Sequence, residues 1–188
     1  VRHFPILLAG GDDRGIAERA RSTIEEARST GSSMLEGVGQ YYLGVALIRM
    51  ERWSEAADAL DRAGALYRRV GSRQDETKND VHQVIADLGL GAEAAAEQKL
   101  DRLADKLDAQ NLRTLAPFVP ILRATIAARR GEWADFDRAL DRYEADCAEI
   151  RPVPPPLVDA LERLCGEVDG STDRRRVRRV ETIRDRVT

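Results

Sequence analysis

Two histidines, His3 and His82, and two cysteines, Cys147 and Cys165, are all that the chain offers for metal binding by soft ligands or for thiol chemistry. Neither histidine stands in an H-E-x-x-H pair or beside a cysteine pair at zinc spacing. The cysteines are 18 residues apart, and Cys147 continues an apolar helical stripe, the setting of a buried thiol and not of one activated by a base. Adjacent acids such as Asp12-Asp13 and Glu25-Glu26 suit the solvated face of amphipathic helices. No G-x-x-x-x-G-K-[ST] occurs, and neither Gly37, Gly39 and Gly44 nor Gly89 and Gly91 make a G-x-G-x-x-G loop. The expectation is therefore a chain with no catalytic residue, no metal and no cofactor, whose function lies in its surfaces.

The elements that carry those surfaces are bounded by composition. The 188 residues make one domain or one repeat array, and 43% apolar residues with only 5% aromatics require a core built from Ala, Leu, Val and Ile at close helix-helix spacing. A formal charge of -3 gives no bulk attraction to nucleic acid or anionic membrane. No apolar run reaches the roughly 18 residues of a spanning helix, and the stretch from Phe4 to Ala9 is too short for a signal peptide. Two cysteines make no disulfide framework, so a reducing cytoplasm is expected. Three lysines against 27 arginines fit the codon bias of a GC-rich bacterial genome.

A period organises the chain. Leu60-Asp61-Arg62 returns as Leu100-Asp101-Arg102 and as Leu140-Asp141-Arg142, each 40 residues on, with Val180-Glu181 as an echo. The same interval underlies Trp53 and Trp133 and the turn markers Gly11, Glu51, Gly91, Gly131 and Ser171. A second marker series is Gly31, Gly71, Asn111 and Arg151, the last just before Pro152 to Pro156. Gly and Asn tolerate the left-handed conformation that ends a helix. Between markers, apolar residues recur at three- and four-residue steps: Ile16, Ala20, Ile24 and Ala27; Trp53, Ala56, Ala57, Leu60, Ala63, Tyr67 and Val70; Ala96, Leu100, Leu103 and Leu107; Trp133, Phe136, Leu140, Tyr143, Cys147 and Ile150; Val177, Val180, Ile183 and Val187. Each stripe after the first follows another helix, near 34–50, 74–88, 117–130 and 157–168. Such hairpins bury a continuous core only by stacking. The spacing predicts an all-α, single α-solenoid of antiparallel helix hairpins with units near 1–30 (partial), 34–70, 74–110, 117–150 and 157–188. Its ends cut hairpins, so the array is expected to be a piece of a longer protein.

The segment Tyr42 to Tyr67 resembles a tetratricopeptide repeat, whose pattern is W-x2-L-G-x2-Y, then A-x3-F, then Pro. Leu43-Gly44, Ala56, Leu60 and Ala63 carry the resemblance. Gln40 stands in place of the Trp, Leu47 in place of the Tyr and Arg68 near the closing Pro. HEAT and armadillo repeats, at 40 to 47 residues, are the rivals on period. The resemblance implies a right-handed superhelix of the long-period type found in bacterial regulators. It also implies that the first helix of each hairpin lines a concave groove for a peptide or partner helix. By the 40-residue register the groove positions are Val38, Tyr41, Val45 and Arg49, then Lys78, Val81, Ile85 and Gly89, then Phe118, Ile121, Thr125 and Arg129. Arg49 and Arg129 share a phase and could fork carboxylates or phosphates, or pair with neighbours such as Glu51 and Glu132. In the middle unit Asp80, Gln83 and Asp87 fall at core phase, and Val81, Val84, Ile85 and Leu88 form the apolar stripe instead.

Gly10-Gly11-Asp12-Asp13 is similar to the GGDEF loop of diguanylate cyclases, but that loop needs a β-hairpin, and here it precedes a helix that Asp12 or Asp13 would cap. Residues 173–188 hold seven arginines and three acids, a conceivable basic arm, but Val177, Val180, Ile183 and Val187 keep helical spacing, so the arginines are expected to coat the outer face of the last helix or to dock on acidic neighbours. These readings converge on a protein-protein interaction or scaffold module of a bacterial signalling or transcription-regulating protein. It would bind a protein or peptide segment, or another domain of the same polypeptide, and neither nucleic acid nor membrane. A small-molecule sensor domain controlling an attached effector is the alternative.

Overall fold

In the computed structural model the described residues are 12–147, 150, 155–169 and 173–186, and among them the chain is all-helical, with no strand. The helices are α1 (Asp13–Ser29), α2 (Ser33–Arg49), α3 (Trp53–Val70), α4 (Arg73–Gly89), α5 (Glu93–Gln110), α6 (Phe118–Arg130), α7 (Trp133–Asp146), α8 (Pro155–Asp169) and α9 (Arg174–Asp185), with a 3-10 turn at Arg113–Leu115. The chain divides into two compact units, one up to Lys99 and one from Leu100 on, the division falling within α5.

The two series of turn markers interleave into one spaced at 20 residues. Gly31, Glu51, Gly71, Gly91, Asn111 and Gly131 all have positive φ, between 52° and 72°. At each, the next residue's N–H closes on a carbonyl five positions back: Ser32 on Ala27, Arg52 on Leu47, Ser72 on Tyr67, Ala92 on Asp87, Leu112 on Leu107 and Glu132 on Ala127, at 2.8–3.1 Å. This double closure satisfies the last helical carbonyls and requires a left-handed residue, which is why Gly or Asn marks most of the turns. The remaining markers Gly11, Arg151 and Ser171 lie outside the described residues, as do His3, Val187 and Pro152 to Pro154. So do Val1 to Ala9 and Gly10. Asp12 caps α1 as expected, its Oδ1 accepting from the Gly15 N–H at 2.9 Å.

The recurring Leu-Asp-Arg tripeptide has a packing role. Leu60, Leu100 and Leu140 are all fully buried. The aspartates one residue on are exposed, and each receives a donor from a later helix. Gln83 Nε2 donates to Asp61 at 2.6 Å, Arg123 Nη2 to Asp101 at 2.8 Å and Arg179 Nη2 to Asp141 at 2.6 Å. The period therefore alternates a core anchor with a polar tie to the following repeat.

In the first unit α2 packs on α1, α3 and α4, and α4 also packs on α3. Its glycines set the spacing. A Cβ on Gly44 would sit 2.6 Å from Leu60 Cγ, and one on Gly37 would sit 3.1 Å from the Tyr67 ring, so α2 and α3 approach along the Gly37–Gly44 stripe. In the second unit α6 packs on α7 and α8, and α9 on α8. The arginines of α9 dock on acids there: Arg176 on Asp137 and Arg179 on Asp141 and Glu144.

Candidate interaction site at the α2–α4 contact

The expected groove positions separate into two groups. Val45, Val81, Ile85, Phe118, Ile121 and Thr125 are core residues, 0–6% exposed, and offer no side chain to a ligand. Their assignment to a groove is corrected for a geometric reason. The face of α2 turned away from α3 is covered by its other neighbours, and α6 is likewise hemmed by α7 and α8. Thr125 turns its hydroxyl back to its own helix, donating to the Ile121 carbonyl at 3.0 Å. In the middle stretch Val81, Val84, Ile85 and Leu88 form the buried stripe as expected, and Asp87 joins it, its carboxylate 2.7 Å from Lys99 Nζ.

The two phase-matched arginines are held by acids other than the expected neighbours. Arg49 Nε lies 3.2 Å from Asp13 of α1, and Arg129 Nη2 lies 2.6 Å from Glu167 of α8. Glu132 pairs instead with Arg130, and Arg52, next to Glu51, pairs with Glu55. The Arg49–Asp13 and Arg129–Glu167 pairs are structural ties between helices.

Val38 and Tyr41 on α2 remain half-buried, and Lys78 on α4 is exposed. The Tyr41 ring meets His82 edge-on at 5.1 Å and Tyr42 at 5.2 Å, so its orientation is fixed on two sides. Its hydroxyl lies 3.4 Å from His82 Nδ1, which is also 3.1 Å from the Lys78 carbonyl. A carbonyl only accepts, so Nδ1 carries the hydrogen and Nε2 is left as an acceptor. Burial lowers the His82 pKa to about 4, against the rise that the Lys78 backbone contact supplies, and keeps the ring neutral. Burial also raises the Tyr41 hydroxyl pKa, with Tyr42, Tyr67 and Asp75 adding to the rise. Asp75 acts likewise on Tyr42 and Tyr67, after burial, so one carboxylate at the start of α4 faces three phenols. That carboxylate accepts from Ser72 Oγ at 2.7 Å and lies 3.5 Å from Lys78 Nζ.

Three buried polar residues were not singled out by the sequence as parts of a site: Gln40, 2% exposed, Asn79, 0%, and His82, 4%. Gln40 carries a signal, because it holds the position where the repeat pattern places a core Trp. Asn79 sits in the polar run Gln74 to Asp80 and carries none. Asn79 Nδ2 donates to the Leu60 carbonyl at 3.0 Å, joining α4 to α3.

Catalytic chemistry has little to build on. Burial pushes both the Cys147 and the Cys165 thiol up, away from the thiolate a nucleophile needs. Among the described residues no group of three His, Cys, Asp or Glu could hold a metal ion, and no helix is long and apolar enough to cross a membrane. Comparison of the chain with family models, with curated proteins and with solved structures found no match, so what the site does rests on its own geometry.

Proposed function

We propose that the chain is an interaction module that binds rather than transforms its partner, with the α2–α4 face around Val38, Tyr41, Asp75 and Lys78 receiving a protein segment. The observation that carries this reading is Tyr41, a half-buried aromatic ring already locked by His82 and Tyr42. Rigid aromatics beside charged groups dominate binding energy in protein interfaces because little side-chain entropy is lost on contact. The tetratricopeptide-like superhelix belongs to the same proposal. Gly44 seated on Leu60 and Ala56, together with the 20-residue rhythm of turns, supports hairpins of that kind within the first unit. A regulatory array of a larger bacterial signalling protein is the setting we infer.

A photo-crosslinker placed at Val38, with a control at exposed Asp58 on α3, tests the site. Capture of a defined partner from position 38 alone is expected, and Tyr41→Ala should weaken the purified complex at least tenfold, about 1.4 kcal/mol. Equal crosslinking from both positions, or a Tyr41→Ala complex of unchanged affinity, overturns the assignment.

A further inference from the structure

Helix α9 carries arginines on two faces, and the chain itself uses only one of them. On the inner face Arg176 and Arg179, three residues apart, hold the carboxylates of Asp137, Asp141 and Glu144 on α7. Those acids stand at i, i+4 and i+7, the spacing that lines up one side of a helix. One residue earlier, Arg175 and Arg178 repeat the three-residue step on the outer face. Both are exposed, and neither side chain makes an ion pair among the described residues. Thr182 and Arg186, also exposed, continue that stripe to the C-terminal cap.

A stripe of the opposite sign runs along α5. Asp101, Asp105 and Asp108 repeat the i, i+4, i+7 spacing of the α7 acids, and Glu97 extends it by one turn; all four are exposed. Asp105 and Asp108 make no ion pair among the described residues, whereas Asp101 is held by Arg123 at 2.8 Å.

From this we infer that the outer face of α9 docks on the α5 acidic stripe of a second copy of this chain. Run antiparallel, the two stripes share the same steps of three, four and four residues. Arg175 then meets Asp108, Arg178 meets Asp105, Thr182 meets Asp101 and Arg186 meets Glu97. The acid that Arg123 already neutralises falls opposite Thr182, the one uncharged position of the α9 stripe. A polyanion such as nucleic acid fits less well. The whole chain carries a charge of -3, and the α7 carboxylates beside α9 weaken the long-range field that a polyanion responds to. Ion pairs at helical spacing need only the facing side chains.

The contact joins unlike surfaces, so each copy keeps one acidic and one basic stripe to offer, and association continues past a dimer unless the copies close into a ring. Exposed ion pairs are individually weak and are screened by salt, so association grows with protein concentration and shrinks as salt is added. Tyr41 takes no part, and the contact stands or falls independently of the surface proposed for a protein segment.

The test is sedimentation velocity of the full chain over a concentration series in low salt. The average mass should rise with concentration and fall on addition of sodium chloride. Arg175→Glu with Arg178→Glu, and separately Asp105→Arg with Asp108→Arg, should each weaken association at least tenfold. Circular dichroism should show the same helicity in both, since all four side chains are exposed. An equimolar mixture of the two variants should associate again, because each retains the stripe that the other has lost. A parent chain that stays monomeric at every concentration in low salt, variants that associate as the parent does, or a mixture that stays monomeric would overturn the proposal. So would a monomeric parent that binds a short DNA duplex through Arg175 and Arg178, which would give the stripe to a polyanion.

Discussion

Trp53 and Trp133 occupy the same place in the 40-residue period, each opening a helix, yet the two units cover them by opposite means. In the first unit Trp53 lies against Gly89, where an added Cβ would stand 2.1 Å from the indole carbons Cδ2 and Cε3. In the second, Arg176 reaches over the Trp133 ring at 5.1 Å while its guanidinium pairs with Asp137. The contrast extends to the polar ties. Gln83 joins Asp61 in the first unit where Arg123 joins Asp101 in the second, and Arg129–Glu167 is a charged tie between helices like Arg179–Asp141. Both units carry arginine–acid ties between helices, Arg49–Asp13 and Arg68–Glu76 in the first and Arg129–Glu167 and Arg176–Asp137 in the second, but the first also tightens by removing side chains and burying the neutral polar groups of Gln40, Asn79 and His82. A repeat thus fixes where an anchor stands and leaves open the physics that holds it.

Each unit carries one tryptophan, so fluorescence of Trp53 in a Trp133→Phe background, and the converse, reads them separately. The largest effects should be equal in kind. Leu60→Ala and Leu140→Ala, at fully buried equivalent positions, should each cost about 2–5 kcal/mol in urea titrations. A loss confined to one of them would break the equivalence that the period implies.

Acid should then divide the units. His82 is held neutral when folded and has an ordinary pKa of 6.5 when unfolded, so the unfolded chain binds the extra proton between pH 6.5 and about 4. Stability is full above that window and falls through it by on the order of 3 kcal/mol. A Trp53 transition that is flat from pH 7 to 4, or a His82→Gln variant with the same slope as the parent, would contradict this. The second unit has no histidine. Its Asp137 is held below the usual carboxylate value mainly by its hydrogen bond from Arg176, so that contribution persists above pH 3.8 and fades only at lower pH.

Smaller effects sharpen the contrast at the tryptophans. Gly89→Ala should destabilise by about 1–3 kcal/mol through overpacking, independent of salt. Arg176→Ala should shift the Trp133 transition less, with an effect that shrinks as salt is added. Identical salt dependence of the two variants would remove the distinction. The smallest change is at the turns. Glu51 adopts φ 57° without being glycine, so Glu51→Gly should gain up to about 1 kcal/mol, whereas Asn111→Gly, at φ 52°, should gain little because Asn tolerates the left-handed region.

What the sequence by itself determined is local and periodic. The helices, the buried stripes through Leu60, Leu100 and Leu140, the cap at Asp12 and the left-handed turns follow from helical spacing and from the steric freedom of Gly and Asn, which act within a few residues. The register of side chains between helices did not follow. The 40-residue register places Val45, Val81 and Phe118 in a groove, yet they are core, because a helix with neighbours on several sides has no free face that its own periodicity reveals. Only the tertiary structure decided that Arg49 meets Asp13, that Gly89 yields to Trp53, and that Asn79 lies against Gly64. Each of those contacts depends on the approach of backbones distant in sequence, and the energy of a polar group depends on what surrounds it once water has been removed.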